Sequence, residues 1–271
     1  MNNNDEDYSK FDEVIKALRP IDDVMFKELI RDDIKIVELC LKIILDKDDL
    51  IVEDFISQYD LSKTSKARNL ILDVKAKDSK GISYNIEVQK DNSGADIKKA
   101  RYHLSAIDVE NSYPGMKFKD MVDNYVIFIT EEDYFLKGLA TYYIERVNLE
   151  LQEKVNDGSY IIYVNGKYRG DDDIGKLMHG FNCKDPQDMY IPIISTKISQ
   201  IKYNKDKENK TMCEELEKLL KKERENAQFE GETKEAKKNA SRLYEKGNSI
   251  EDIADVLQRP VSQVSLWLEN N

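Results

Sequence analysis

The sequence predicts an α/β domain followed by a helical extension. Three patterns support this prediction. Apolar residues recur at three- and four-residue intervals between residues 18 and 46, two segments between residues 72 and 89 alternate apolar and polar positions, and residues 125–130 form a continuous apolar run. These patterns are typical of an amphipathic helix, a β-hairpin and a strand buried on both faces. We therefore expect strands and helices to alternate up to about residue 205.

The composition limits the classes of protein to consider. The chain has 271 residues, 40% of them hydrophobic, which is enough for a sizeable core. Its isolated cysteines (Cys40, Cys183 and Cys213) match no zinc or redox spacing, so we expect a cytoplasmic protein without disulfides. The polar, acidic first ten residues do not resemble a secretory signal, and no apolar run approaches membrane-spanning length, so no membrane partner is expected. With a net charge of −11, any phosphate-binding surface must be local.

The elements of the predicted domain follow in order along the chain. The segment "LRPIDDVMFKELIRDDIKIVELCLKIILD" predicts one long amphipathic helix with Pro20 near its start, and a break near Asp32 stays open. The hairpin comes next, and after it "ADIKKARYHLSAIDVEN" predicts a helix that ends at "SYPG". The segments "YVIFIT", "ATYYIERV" and "YIIYVNG" predict strands, the last two on either side of the polar link "NDGS".

Beyond this domain, expected over residues 1–205, the chain becomes rich in Lys and Glu. Residues 206–240 predict an exposed, charged helical connector, and residues 241–271 predict two short helices on either side of "QRP", as in a helix-turn-helix. Two such helices must dock on the connector or on a partner chain. The second has no Lys or Arg to contact DNA, which favours a role in packing or in a homodimer.

The predicted hairpin carries two acidic residues at positions that face each other. Leu72, Val74 and Ala76 alternate with Asp73, Lys75 and Lys77, so these two sets point to opposite faces. If residues 79–81 form the loop, with Gly81 at its left-handed position, Asp78 pairs with Ile82. Counting back from that pair places Asp73 opposite Glu87, roughly 5 Å apart between Cβ atoms. A slip of one residue in the register stays open.

Like charges that face each other destabilise a hairpin, and a bound divalent cation reverses the sign of that interaction. Mg²⁺ favours one or two carboxylates completed by water and substrate phosphate. Asp73 and Glu87 are therefore candidate metal ligands. The alternative is that both are ordinary charges on the solvated face of the hairpin.

The hairpin "ILDVKAKDSKGISYNIEVQ" resembles the active-site hairpin of the PD-(D/E)XK nuclease superfamily. With "LRPIDDVMFKELI" before it and "KKARYHLS" after it, the chain is similar to the Rpn branch, recombination-promoting nucleases also described as transposases. The resemblance implies a restriction-endonuclease-like core, in which helices flank a mixed β-sheet. It also implies a metal-dependent DNA endonuclease that uses Mg²⁺ or Mn²⁺ and is linked to recombination or mobile elements.

Carried over residue by residue, the resemblance implies that Asp73 and Glu87 hold the metal. It places Asp23 beside them as a third acid, although the adjacent Asp22 competes for this role. Gln89 stands where the superfamily has a lysine, and a neutral amide can orient water or phosphate but cannot act as a base.

Further candidates lie around these residues. Arg101 matches an arginine of the family pattern, and with Lys75 it is a candidate for holding the substrate phosphate. The histidines, His103 and His179, match no metal-binding spacing and are expected to be surface or packing residues.

Two rival functions stay open. One is a catalytically inactive nuclease-like protein that binds nucleic acid or protein, and the other is a DNA-binding regulator that acts through its C-terminal helices.

Overall fold

The structure is a computed structural model that describes residues 11–61, 70–203 and 210–269. The acidic first ten residues and the start of the predicted connector, residues 206–209, lie outside this description. The chain divides into two compact units, Met1–Met212 and Cys213–Asn271. In the part that the structure describes, no helix combines the length and apolar character needed to cross a membrane.

The first unit is an α/β domain built on a six-stranded mixed sheet with the strand order β1-β2-β3-β4-β8-β5. Strands β1, β2 and β3 are antiparallel, β3, β4 and β8 are parallel, and β5 is antiparallel to β8. The predicted α/β class is thus confirmed. The strands are β1 (Val52–Asp60), β2 (Ile71–Asp78), β3 (Ser83–Gln89), β4 (Asn124–Thr130), β5 (Thr141–Ile144) and β8 (Ser159–Asn165), and a separate small ribbon pairs β6 (Val147–Asn148) with β7 (Glu153–Lys154).

Helices cover both faces of the sheet. One face packs against α4 (Ile97–Asn111), whose buried Ala100, Leu104 and Ile107 join Val126 and Phe128 of β4 in one core cluster. The helices of the opposite layer pack on one another and on the sheet, with the Phe26 and Phe181 rings 6.1 Å apart. These helices are α1 (Asp12–Ala17), α2 (Asp23–Ile30), α3 (Ile34–Leu45), α5 (Asp173–Asn182) and α6 (Pro192–Tyr203).

The long amphipathic helix expected before the hairpin is broken in two. Asp32 adopts a left-handed backbone with φ of 53°, and α3 begins two residues later. Because the left-handed conformation ends a right-handed helix, the apolar pattern continues across the break while the helix axis does not.

The hairpin has the predicted loop and register. Gly81 takes a left-handed φ of 81°, and the Asp78 N–H donates to the Ile82 carbonyl at 3.1 Å. The pairs run from Lys77 opposite Ser83 to Val74 opposite Ile86. We did not expect β1, which pairs along β2 on the side away from β3.

The alternative in which Asp73 and Glu87 lie on a solvated face of the hairpin is wrong for β3. Every residue from Ser83 to Val88 is buried, because α4 covers the polar face of this strand. Polar residues of the helix contact the buried polar residues of the strand. The Asn111 amide donates to Ser83 Oγ at 3.0 Å, and the side chains of His103 and Asn85 approach to 3.0 Å.

The second unit is a small helical bundle. The long α7 (Lys210–Glu245) is followed by α8 (Ile250–Leu257) and α9 (Val261–Glu269), on either side of the predicted break at residues 258–260. Ile253 and Trp267 of the two short helices share a core with Ala240 of α7. The short helices therefore dock on the end of the charged helix, which is one of the two arrangements that the sequence predicts.

Candidate metal site

Asp73 and Glu87 each lie one residue beyond the pair Val74–Ile86, at the end of the ladder between β2 and β3. Each carboxylate also accepts a hydrogen bond from the opposite strand. The Asp73 N–H donates to Glu87 Oε1 at 3.2 Å, and the Val88 N–H donates to Asp73 Oδ2 at 3.3 Å. The two carboxylates therefore lie close together, each held by the backbone of the opposite strand.

The two acids lie in a poorly hydrated, mutually repulsive environment. Glu87 is only 2% exposed and Asp73 is partly buried. Burial, followed by the negative charge of Asp73, raises the pKa of Glu87. Burial, followed by the negative charge of Asp23, raises the pKa of Asp73. Burial disfavours the charged form of a carboxylate, and like charges add to this effect. A cation between these groups would offset both costs.

The structure separates the two adjacent acids of α2. Asp22 is buried and forms ion pairs with Arg19 at 3.3 Å and with Lys90 at 2.8 Å. Asp23 has a side chain 45% exposed, forms an ion pair with Lys27 at 2.6 Å, and lies close enough to Asp73 for its charge to act there. Asp22 therefore anchors the start of α2, while Asp23 faces the candidate site.

The other predicted site residues have different surroundings. The Gln89 side chain lies against Gly94, so close that a Cβ at Gly94 would be 2.1 Å from Gln89 Oε1. Lys75 forms an ion pair with Glu110 at 2.5 Å, and both side chains are 13% exposed. Arg101 is exposed on α4, where it is open to solvent. The charge of Lys75 is thus neutralised within the protein, whereas the charge of Arg101 is accessible.

Sequence reasoning missed the polar residues of α4 that contact the site. Lys99 Nζ lies 3.4 Å from Glu87 Oε2, and His103 Nδ1 lies 3.7 Å from Glu87 Oε1. Lys99, His103 and Asn111 recur every fourth residue or its multiple on α4, and Ser83, Asn85 and Glu87 recur every second residue on β3. These are the periods at which a helix and a strand each present one face, so the two polar series could have been matched.

His103 is a buried, neutral neighbour of Glu87. Its side chain is 0% exposed, and burial, followed by the charge of Lys99, lowers its pKa to about 3. Among the described residues, its Nε2 and Asn85 Oδ1 have no hydrogen-bond partner. Buried polar atoms without hydrogen-bond partners are rare and lower the stability of the folded state, so the His103–Asn85 pair destabilises the fold.

Gln58 of β1 contributes from the other side of β2. It takes a left-handed φ of 54° within its strand, and its amide donates to Asp73 Oδ1 at 3.3 Å. Non-glycine residues in this conformation are uncommon and concentrate at functional sites. Both oxygens of Asp73 therefore accept hydrogen bonds that fix its orientation.

The donor set fits a hard divalent cation with few protein ligands. Asp73 and Glu87 offer carboxylate oxygens, which suit Mg²⁺ or Mn²⁺ better than softer metals. Within the described ranges, no group of three or more His, Cys, Asp or Glu side chains is placed to hold an ion. A cation here would depend on the two acids, and water or substrate oxygens would complete its coordination.

Comparison with known proteins adds no assignment, since no family model, no curated protein and no solved structure matches this chain. The function is therefore inferred from the geometry of the site together with the resemblance of the hairpin.

Proposed function

We propose that this protein is a metal-dependent endonuclease that hydrolyses phosphodiester bonds in DNA. One observation carries the proposal. Two carboxylates from adjacent antiparallel strands, the buried Glu87 and the partly buried Asp73, lie close together, and the charge of a third acid, Asp23, acts on Asp73. Two carboxylates that repel each other are costly unless they serve a ligand, and Mg²⁺ or Mn²⁺ is the ligand that suits them.

The residues of the chain have separable roles in this proposal. Asp73 and Glu87 would hold the cation, and their hydrogen bonds to the backbone and to Gln58 fix their orientation before it binds. The bound metal would supply a water of lowered pKa and positive charge for the phosphate. Gln89 would orient water or phosphate through its amide, and Arg101, exposed on the next helix, would contact the DNA backbone.

The fold of the core agrees with this proposal. The hairpin β2–β3 lies between β1 and β4 in the sheet, α4 covers the polar face of β3, and β4 runs parallel to β3. We infer a restriction-endonuclease-like core from this arrangement together with the resemblance of the hairpin. The link to recombination or mobile elements, the cytoplasmic location and the homodimer through the C-terminal helices stay predictions.

A second candidate function is a catalytically inactive nuclease-like protein that binds nucleic acid or protein. It is favoured by the Lys99 ammonium at 3.4 Å from Glu87, which partly neutralises the carboxylate without any metal. It is also favoured by the lack of a three-ligand group in the described residues.

Incubation of the purified protein with supercoiled plasmid, with Mg²⁺, with Mn²⁺ or with EDTA, tests the two candidates. The nuclease proposal predicts nicked and linear products with either metal, none with EDTA and none with Asp73→Asn. An Asp12→Asn variant provides a matched control, because Asp12 is exposed at the start of α1. Intact plasmid with the wild-type protein across metals and salt concentrations would favour the inactive candidate.

A further inference from the structure

Lys99 occupies a defined position at the edge of the candidate metal site. It lies in the first turn of α4, and its Nζ donates to the Gly94 carbonyl at 3.0 Å while lying 3.4 Å from Glu87 Oε2. The same ammonium lies 5.3 Å from the centre of the Phe128 ring. Its side chain is 35% exposed, so the ammonium is held by these protein contacts and is also accessible from solvent.

The neighbouring cations are each paired with an acid other than the two candidate ligands. Lys27 pairs with Asp23, Lys75 with Glu110 and Lys90 with Asp22. Lys99, by contrast, forms its ion pair with Glu87, one of the two candidate metal ligands. It is therefore the positive charge best placed to meet an anion beside Glu87.

The strand itself offers no cation at this point. Gln89, two residues after Glu87 and on the same face, carries a neutral amide. Gly94 brings Gln89 and Lys99 together, since it leaves room for the Gln89 side chain and its carbonyl accepts from the Lys99 ammonium. The strand has no positive charge at Gln89, and Lys99 of the next helix places one beside the same glycine, Gly94.

We propose that Lys99 contacts the scissile phosphate and stabilises the negative charge that develops on it. This inference rests on the proposed nuclease function. An ammonium is a compact charge on a flexible stem, so Nζ can turn from Glu87 to a phosphate oxygen while α4 stays in place. Preorganised positive charge next to developing negative charge is among the largest contributions to catalysis.

The test compares Lys99→Met, Lys99→Arg and Lys98→Met. Lys98 is the adjacent lysine of α4 and is exposed, so its variant controls for the loss of one charge from the helix. Two quantities are measured for each protein: kcat and KM for plasmid cleavage with Mg²⁺, and the Kd for Mn²⁺ without DNA by isothermal titration calorimetry.

We expect Lys99→Met to lower kcat by roughly 100-fold, the loss typical of removing one group that stabilises transition-state charge. Its Mn²⁺ affinity should be unchanged or higher, because a positive charge next to a ligand oxygen has been removed. Lys99→Arg should recover part of kcat, and Lys98→Met should match the wild type in both measurements.

Three results would overturn the inference, and they are distinguishable. If the wild type cleaves and Lys99→Met cleaves within a few-fold of it, Lys99 has no catalytic role while the nuclease function stands. If Lys99→Met binds Mn²⁺ more weakly and excess Mn²⁺ restores its cleavage, Lys99 only positions Glu87. If the wild type does not cleave plasmid with any of the metals tested, the proposed function fails and this inference fails with it.

Discussion

Replacing Glu87 with glutamine should stabilise the metal-free protein while destroying its metal response. Burial and the charge of Asp73 raise the pKa of Glu87 to about 7, against an ordinary value of 4.5. Since one pKa unit corresponds to about 1.4 kcal/mol, keeping this carboxylate ionised at pH 8 costs the folded state about 3 kcal/mol. Glu87→Gln removes the charge but keeps an oxygen for the Asp73 N–H. The amide N–H groups need partners of their own, so we expect a net gain of about 2 kcal/mol.

The sign of the pH dependence is fixed by the direction of this pKa. The folded state holds the proton on Glu87 more tightly than the unfolded state does, so the cost is full above pH 7 and disappears as the pH falls towards 4.5. The advantage of Glu87→Gln over the wild type should therefore be present at pH 8 and nearly absent at pH 4.5.

Urea denaturation in EDTA at these two pH values, followed by far-UV circular dichroism, measures the effect. Glu53→Gln is the matched control, because Glu53 is exposed on β1 and its replacement should change little. In a second series with Mn²⁺ at about 100 times its Kd, the wild type should gain roughly 2.7 kcal/mol and Glu87→Gln nothing. A Glu87→Gln variant that is less stable than the wild type at pH 8, and that still gains stability from Mn²⁺, would show that Glu87 is neither a strained carboxylate nor a metal ligand.

Three further predictions concern His103, the hairpin loop and the C-terminal unit. His103→Gln should unfold less readily in acid than the wild type, because the pKa of His103 is about 3 in the folded state and 6.5 in the unfolded state, so the wild-type protein loses stability as the pH falls below 6.5. Parallel urea titrations from pH 7 to 5 should show a steeper loss of unfolding free energy for the wild type, and equal slopes for the two proteins would contradict this prediction. Gly81→Ala should lower the free energy of unfolding by about 1 kcal/mol, because Gly81 has a φ of 81°, and a loss near zero in thermal denaturation would oppose this explanation. Ile253→Ala should destabilise the C-terminal unit by about 2 kcal/mol or more, because it removes a buried side chain from the core of that unit. The fluorescence of Trp267, the sole tryptophan, reports the unfolding transition, and replacement of the exposed Val256 with alanine should leave this transition unchanged.

The hairpin could be predicted closely from the sequence because its constraints are local. Side chains of a strand alternate with a period of two, and a glycine at position 81 suits the left-handed residue of a three-residue loop. Together these fix which residues oppose each other, and the Asp78–Ile82 pair has the expected backbone hydrogen bond. The apolar pattern does not decide whether the helix breaks at Asp32, because apolar residues continue at three- and four-residue intervals from α2 into α3.

The surroundings of the acids could not be predicted from local pattern. Glu87 is buried because α4 covers it, and this cover depends on polar contacts between residues far apart in the chain, such as Lys99 with Glu87. Alternation of polar and apolar residues predicts a solvated face, and it cannot distinguish water from a polar helix. For the same reason the sequence predicts an ordinary packing or surface residue at His103, although this residue adjoins the site.

The proposed site requires that Asp73 and Glu87 together hold one divalent cation. Isothermal titration calorimetry of the full-length protein with Mn²⁺ at pH 8 measures this binding, with Asp73→Asn, Glu87→Gln and Glu53→Gln titrated in parallel. We predict one bound Mn²⁺ per chain in the wild type and in Glu53→Gln, and no binding in the other two variants. Absence of Mn²⁺ binding by the wild type, or binding that survives the loss of either acid, would mean that these two residues do not form a metal site.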